Sequence, residues 1–394
     1  MRLAGFIIPS ALVAFSFLTS ATTVQEVADG YRDDYGWPLR VTVLNSSVED
    51  VPSTVQWVSK KNTFDAPKVV PMNSTTYQNW WFDAVTPDGT STFTVNFLTT
   101  PANAAGLVPD GHAGAPILAI LARLPNGTMV SQYLSASAAV IVSGGVLGES
   151  AAGTWLDTGA KFKGTPSLRD YHVNIDTTKL KVSSVLKIKG SLHYRSLTPA
   201  HYPCGTTLDA GQDLQVFPHL GWTNTMAGAS VSGSMTIEDQ KLTFKHGEHN
   251  IGYHDMNWGD GDLTAVAKSW FWGHFTLGPY TVALWDGVGT GDDAQEFTTA
   301  YVAKDGNVVA SGCGPDKIRV RPVDGTWPED LQKATAYEIT VPLPGEAGEI
   351  KAVATLSGVQ DVSPFSTRGA AKLAGTVGAK SYTGIGMFEA FSLP

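Results

Sequence analysis

Apolar and polar residues alternate over much of this chain, and that period of two leaves room for little except β-strands. Phe93, Val95 and Phe97 alternate with Thr92, Thr94 and Asn96, and Tyr171, Val173 and Ile175 alternate with His172, Asn174 and Asp176. Leu186, Ile188, Leu192 and Tyr194 repeat the pattern, as do Tyr280, Val282 and Leu284, and Tyr337, Ile339, Val341 and Leu343. Successive side chains of a strand point to opposite faces, so each segment offers one face to a core and the other to solvent or a cavity. Helical periodicity is confined to one short candidate, Pro328 to Tyr337, where Pro328 suits a first helical turn. No βαβ rhythm appears, so a doubly wound sheet is not expected. At 394 residues the expectation is an all-β chain of two packed β-domains.

The strand Ser230 to Ile237 gives way to a polar, Gly-rich stretch, which puts a boundary within 237–262. We divide the chain into residues 1–21, a leader, 22–245, an N-terminal β-domain, and 246–394, a C-terminal β-barrel domain. No low-complexity linker separates the halves, so they should pack closely around a shared cleft, where ligands commonly bind. In the leader, Arg2 precedes an uncharged apolar run from Leu3 to Leu18 and the small residues Thr19, Ser20 and Ala21. This reads as a secretory signal peptide cleaved near Ala21, since Pro9 sits mid-run and disfavours a buried helix. The expected location is the secretory pathway, secreted or vesicular. Sequons at Asn45, Asn73 and Asn126 agree with that route. Cys204 and Cys313 are the only cysteines, and in an oxidising compartment the simplest expectation is one disulfide; the alternative is two separate buried thiols.

Charge narrows the partners. With 36 acidic against 27 basic residues the formal charge is −9, and no Lys/Arg cluster offers a surface for nucleic acid or anionic lipid. No stretch after the leader approaches the ~20 apolar residues of a spanning helix, so stable membrane insertion is not expected. Eleven tryptophans in so weakly charged a chain point to large apolar pockets or cores.

Candidate chemistry concentrates between His246 and Asp260, where three histidines, two aspartates and one glutamate lie beside Tyr253, Asn257 and Trp258. Metal binding by His246, His249, His254 and Asp255 is poorly served by this spacing: HExxH is absent, and strand positions three apart face opposite ways. No metal and no cofactor are expected. Acid–base chemistry by His254 and Asp255, with Asn257 as an orienting amide, suits groups that exchange protons near neutral pH. The competing reading is a turn whose polar side chains satisfy backbone groups at a domain junction. Downstream, residues 269–277 put Trp270, Trp272 and His274 on one face of a strand and Phe271, Phe275 and Leu277 on the other. Either the first face lines an aromatic cavity, or the strand is buried on both sides. Trp80, Trp81 and Phe82 before Asp83 form a similar cluster. A GxSxG nucleophile elbow and a phosphate-binding loop are both absent, and Gly384-Ile-Gly-Met-Phe-Glu389 reads as a last strand.

Taken in order, several blocks resemble a fungal family of lipocalin-like Diels–Alderases of natural-product pathways, related to kievitone hydratase and to bacterial carotenoid hydratases. They are Trp80-Trp-Phe-Asp83 with Asp88-Gly89, His201-Tyr-Pro-Cys204-Gly, Phe217-Pro-His219-Leu-Gly-Trp222, Gly252-Tyr-His254-Asp-Met-Asn-Trp258-Gly, Ser269-Trp-Phe-Trp-Gly-His274 and Gly384-Ile-Gly-Met-Phe-Glu389. The resemblance implies a sandwich-like domain followed by a lipocalin-like barrel, with apolar small-molecule substrates bound between them. It implies a cofactor-independent cyclase with His254, Asp255, Asn257 and His274 as catalytic candidates. Trp80, Trp81, Asp83, Tyr253, Trp258, Trp270, Trp272 and Glu389 are the candidates for substrate contact. The leader and sequons are similar to the secreted branch of the family. That branch implies dehydration of a hydroxymethyl tropolone-type precursor to a quinone methide and its cycloaddition to a humulene-type terpene. A hydratase acting on a prenyl or polyene double bond, and a carrier without catalysis, are the alternatives.

Overall fold

The computed structural model describes residues 23–36, 38–101, 116–247, 249–290, 294–345, 348–363 and 365–392; the leader 1–21 lies outside them. Among the described residues the chain folds into two large sheets in which every pairing is antiparallel. The first has the order 40–45, 138–143, 151–155, 160–164, 170–176, 188–196, 220–237, 251–259, 77–85, 92–99, 117–123, 129–135, with 215–217 and 240–244 paired beside the long strand Leu220–Ile237. It curls on itself: Trp155, near one end, meets Trp80 and Phe97, near the other, at ring separations of 5.7 and 5.0 Å. Phe93, Val95, Phe97, Tyr171, Val173, Ile175, Ile188, Leu192 and Tyr194 all enter the one core this curl encloses, as their alternation requires.

The second sheet has nine strands in the order 307–313, 296–304, 280–289, 267–277, 380–392, 366–377, 349–362, 336–342, 319–322. Phe271, Phe275, Leu277, Val282, Leu284, Tyr337, Ile339, Val341, Ala352, Leu373 and Phe388 form a single cluster on its inner face, the filled interior of a lipocalin-like half-barrel. A third cluster lies between the sheets and contains Trp81, Trp222, Tyr253, Trp270, Trp272, Trp285 and Phe391. The strand Ala267–Leu277 is therefore apolar on both faces because each face serves a different core.

Three expectations need correction. The boundary drawn at 245/246 cuts too early: Ile251–Gly259 pairs with Leu220–Ile237 and Tyr77–Val85, so His254 and Asp255 belong to the first sheet, and the second begins at Ala267. The helix expected at Pro328–Tyr337 is a single 3₁₀ turn, Leu331–Lys333, because the alternation of Tyr337, Ile339 and Val341 draws that segment into a strand. A helix does form at Val24–Tyr35, opened by a reciprocal capping box of Thr23 and Glu26 and seated through Ala28 on Ala138, Val140 and Leu156. The Cys204–Cys313 disulfide is present, with Cα atoms 4.9 Å apart and a sequence separation of 109. It ties the loop after Ile188–Ser196 to the edge strand Asn307–Cys313 of the second sheet, where Tyr301 also donates to Pro199 O at 3.0 Å. Of the sequon asparagines, Asn45 and Asn126 are exposed, while Asn73 is half-buried and donates weakly to Val51 O.

Candidate active site between the two sheets

Cross-strand register builds the site. On the first sheet Asp255 stands opposite Trp81, Trp81 opposite Asn96, Asn96 opposite Ala119, and Ala119 opposite Tyr133, a row of five positions across five strands. On the second sheet Arg368 stands opposite Glu389, Glu389 opposite Trp272, and Trp272 opposite Trp285. Directly paired residues share a face, so each row is a continuous strip. All nine residues line one cleft between the sheets, joined by Tyr77, Asn79, Asn257, Leu220, Leu263, Trp270, Ser366 and Phe391 among others. Counted out to its mouth the cleft measures about 930 Å³ of space between atoms. It is a slot with indole walls. Trp270 stacks on Phe391 at 3.8 Å, and Trp81 meets Trp272 edge to face at 5.9 Å.

A carboxyl from the first sheet, Asp255, and a guanidinium and a carboxyl from the second, Arg368 and Glu389, line it. Asp255 Oδ2 accepts hydrogen bonds of 2.8 Å from Tyr253 Oη and Trp222 Nε1, whereas Oδ1 has no hydrogen-bond donor among the described residues. Burial pushes the Asp255 carboxyl up to about 6, against the opposing pull of Tyr253, Trp222, His254 and Asn257. That places a buried acid near the value at which it can both give and take a proton at neutral pH. At the other end Arg368 donates through Nε to Glu389 Oε2 at 2.7 Å, and also through Nη2. It lies over the Trp81 ring at 4.8 Å and pairs with Asp361 at 3.5 Å. Burial would lower the guanidinium, but Glu389 and Asp361 more than offset it and raise its pKa. Trp270 Nε1 donates to the remaining Glu389 oxygen at 3.2 Å. Tyr77 Oη, Asn96 Oδ1 and Trp285 Nε1 are buried at the cleft without partners among the described residues.

Of the residues singled out from the sequence, Trp81, Asp255, Asn257, Trp270, Trp272 and Glu389 line the cleft. Tyr253 stands behind Asp255, held by Trp272 Nε1 at 3.2 Å and stacked on His274 at 4.4 Å. His274 does not reach the cleft: its Nε2 is bound to both oxygens of Asp83 at 2.9 and 3.1 Å, and neither side chain is exposed. Asp83 is a support in turn, accepting from Trp81 Nε1 at 2.8 Å. His254, Trp80 and Trp258 face the other way, into the first sheet's own core. The His254 ring lies on Phe82 at 3.8 Å, its Nδ1 2.9 Å from Trp81 O and its Nε2 3.4 Å from Asp65 Oδ2. His254 is a fully buried packing residue, not a partner of Asp255. His246 and His249 are exposed, so the four possible metal ligands do not converge.

Arg368, Asn96, Tyr133 and Trp285 were not reached by motif reasoning. Asn96 carried a signal, since it lies on the polar face of an alternating strand. Arg368 carried only its position in an otherwise small and apolar segment, Gly369 to Ala371.

A family model described as Diels-Alderase-like matches residues 44–315. The chain is 31% identical over 293 residues to the quinolone epoxide rearrangement protein asqO of Emericella nidulans, covering 73% of this chain and 72% of that one. It is 29% identical to the quinolone epoxide rearrangement protein penF of Penicillium thymicola, covering 75% and 79%. The crystal structure of CghA superposes with a TM-score of 0.71 at 21% identity, covering 90% of this chain and 98% of that one, and so shares the fold. The chain, whose two sheets enclose an aromatic cleft lined by Asp255 and by the Arg368–Glu389 pair, belongs to the Diels-Alderase-like family.

Proposed function

We propose that this enzyme takes one aromatic, largely apolar small molecule into the cleft and drives its rearrangement or cyclisation by proton transfer from Asp255. The observation that carries the reading is Asp255 itself: a buried carboxyl on the lining of an indole-walled slot, with no hydrogen-bond donor on Oδ1 among the described residues and a pKa pushed up to about 6. For an epoxide guest, the Oδ1 proton passes to the ring oxygen as a C–O bond breaks. A nucleophilic or π-bonded atom of the same molecule then closes on the electron-poor carbon, and the proton released in forming product returns to the carboxylate. Atoms balance without a co-reactant. The Trp270 and Trp272 indoles suit positive charge developing on the guest. Holding the reacting ends together supplies the entropic part of the acceleration.

The epoxide rearrangement named for the relatives asqO and penF supports this choice. The tropolone hetero-Diels–Alder reading needs the same acid, at a leaving hydroxyl, but also a second guest alongside the first. The disulfide is consistent with a secretory-route placement. The test is purified enzyme offered a quinolone with a side-chain epoxide, and separately a hydroxymethyl tropolone with a humulene-type terpene. A single isomer of unchanged mass from the first, lost in Asp255→Asn, is expected. A cycloadduct from the second alone, a water adduct, or unaltered turnover in Asp255→Asn would overturn the reading.

A further inference from the structure

Two close donors hold one oxygen of Asp255. Tyr253 Oη and Trp222 Nε1 both bind Oδ2 at 2.8 Å and neither residue lines the cleft, while Asn257, which does line it, adds a further pull on the ionised carboxyl. Each donor is itself fixed. The Tyr253 ring lies on His274 with planes 17° apart, and His274 is anchored on Asp83. Trp222 is fully buried, edge to face with Trp285 at 6.2 Å and with His201 at 5.4 Å, and His201 stacks flat on Tyr301 at 3.9 Å. A carboxyl oxygen that already accepts two hydrogen bonds is the poorer site for a proton.

We infer that Tyr253 and Trp222 are positioning residues that occupy Oδ2 of Asp255 and thereby confine its exchangeable proton to Oδ1, the oxygen left without a donor among the described residues. The inference rests on Asp255 being the acid of the proposed reaction. Other groups act on the same carboxyl. From its own strand these are Asn257 on the same face and His254 on the reverse face. Trp81 stands opposite it on the strand Tyr77–Val85, and Asn224 on the strand Leu220–Ile237. Tyr77, Arg368 and Glu389 share the cleft. All of these stay in place when a Tyr253 or Trp222 donor is removed.

The experiment pairs Tyr253→Phe and Trp222→Phe with two readouts: titration of the Asp255 carboxyl in the ligand-free enzyme, by carbon-13 NMR or infrared difference spectroscopy, and the pH dependence of kcat and KM. Removing a donor to the ionised form should raise the carboxyl titration by about one pH unit. The falling limb of kcat should move upward with it, with kcat lowered and KM little changed. Tyr301→Phe, which removes a hydroxyl one layer farther out, should leave the titration where it is. An unmoved titration in both variants, or an equal shift in Tyr301→Phe, overturns the inference. A shifted titration that the kcat profile ignores supports the grip on Oδ2 while overturning Asp255 as the acid. If Trp222→Phe does not fold, Tyr253→Phe, which keeps the ring on His274, carries the test.

Discussion

His254 and Asp255 are joined by one peptide bond and serve different compartments. The imidazole lies on Phe82 in the closed core of the first sheet, while the carboxyl borders the cleft between the sheets. Strand geometry alone separates them, since neighbouring side chains point to opposite faces. What chain order presents as an adjacent His–Asp pair is split by the sheet into a histidine packed in a core and a carboxyl bordering the cleft.

Asp255→Asn should therefore lower kcat by about 10²–10⁴, the usual worth of a positioned acid, with binding of a ground-state analogue retained. Wild-type kcat should be flat at low pH and fall above about 6, where the carboxyl loses its proton. Single-turnover assays across pH check both.

The same substitution should stabilise the fold at neutral pH. Burial raises the folded-state pKa of Asp255 to about 6 from 3.8, so its favourable contribution is complete below 3.8 and is lost as pH rises through 6. Asparagine removes that loss, which on this shift amounts to about 3 kcal/mol at most. Urea unfolding at pH 5 and pH 8 should show a stability gain for the variant that grows with pH.

His254→Ala should behave oppositely. It empties space between Phe82 and Tyr171 and takes a 2.9 Å contact from Trp81 O, leaving Asp65 Oδ2 with Tyr171 Oη alone, at a cost on the order of 3 kcal/mol. The kcat per folded molecule should hold its wild-type value. A collapse of kcat in well-folded protein would return His254 to the chemistry.

Arg368→Ala should destabilise by about 3 kcal/mol, because it strands the Glu389 and Asp361 carboxylates in a largely buried site. It also removes the cation from over Trp81. Ligand affinity should drop with it, and adding Glu389→Gln should recover part of the stability in a double-mutant cycle.

Reducing the disulfide, or replacing Cys204 and Cys313 by serine, should lower stability by about 5 kcal/mol on the loop-closure model, since the bridge spans 109 residues. Calorimetry with and without reductant measures it.

Alternation in the sequence was enough to establish the strands, their inner faces and the all-β class. It even separated Phe271 and Phe275 from Trp270 and Trp272, which the structure sends to the half-barrel interior and to the cleft respectively. A period of two says which residues share a face; it cannot say which layer that face meets when both faces are apolar. On the strand Ile251–Gly259 both faces are buried, so only tertiary packing decided that Asp255 and Asn257, and not His254 and Trp258, border the cleft. Arg368 and Glu389 reach Trp81 and Trp272 from more than a hundred residues away in one case and nearly three hundred in another, through register across strands that no local pattern encodes. Local sequence carries the periodicity because backbone sterics impose it residue by residue. The meeting of two sheets depends on the summed burial of faces far apart in the chain, and that sum exists only once the chain has folded.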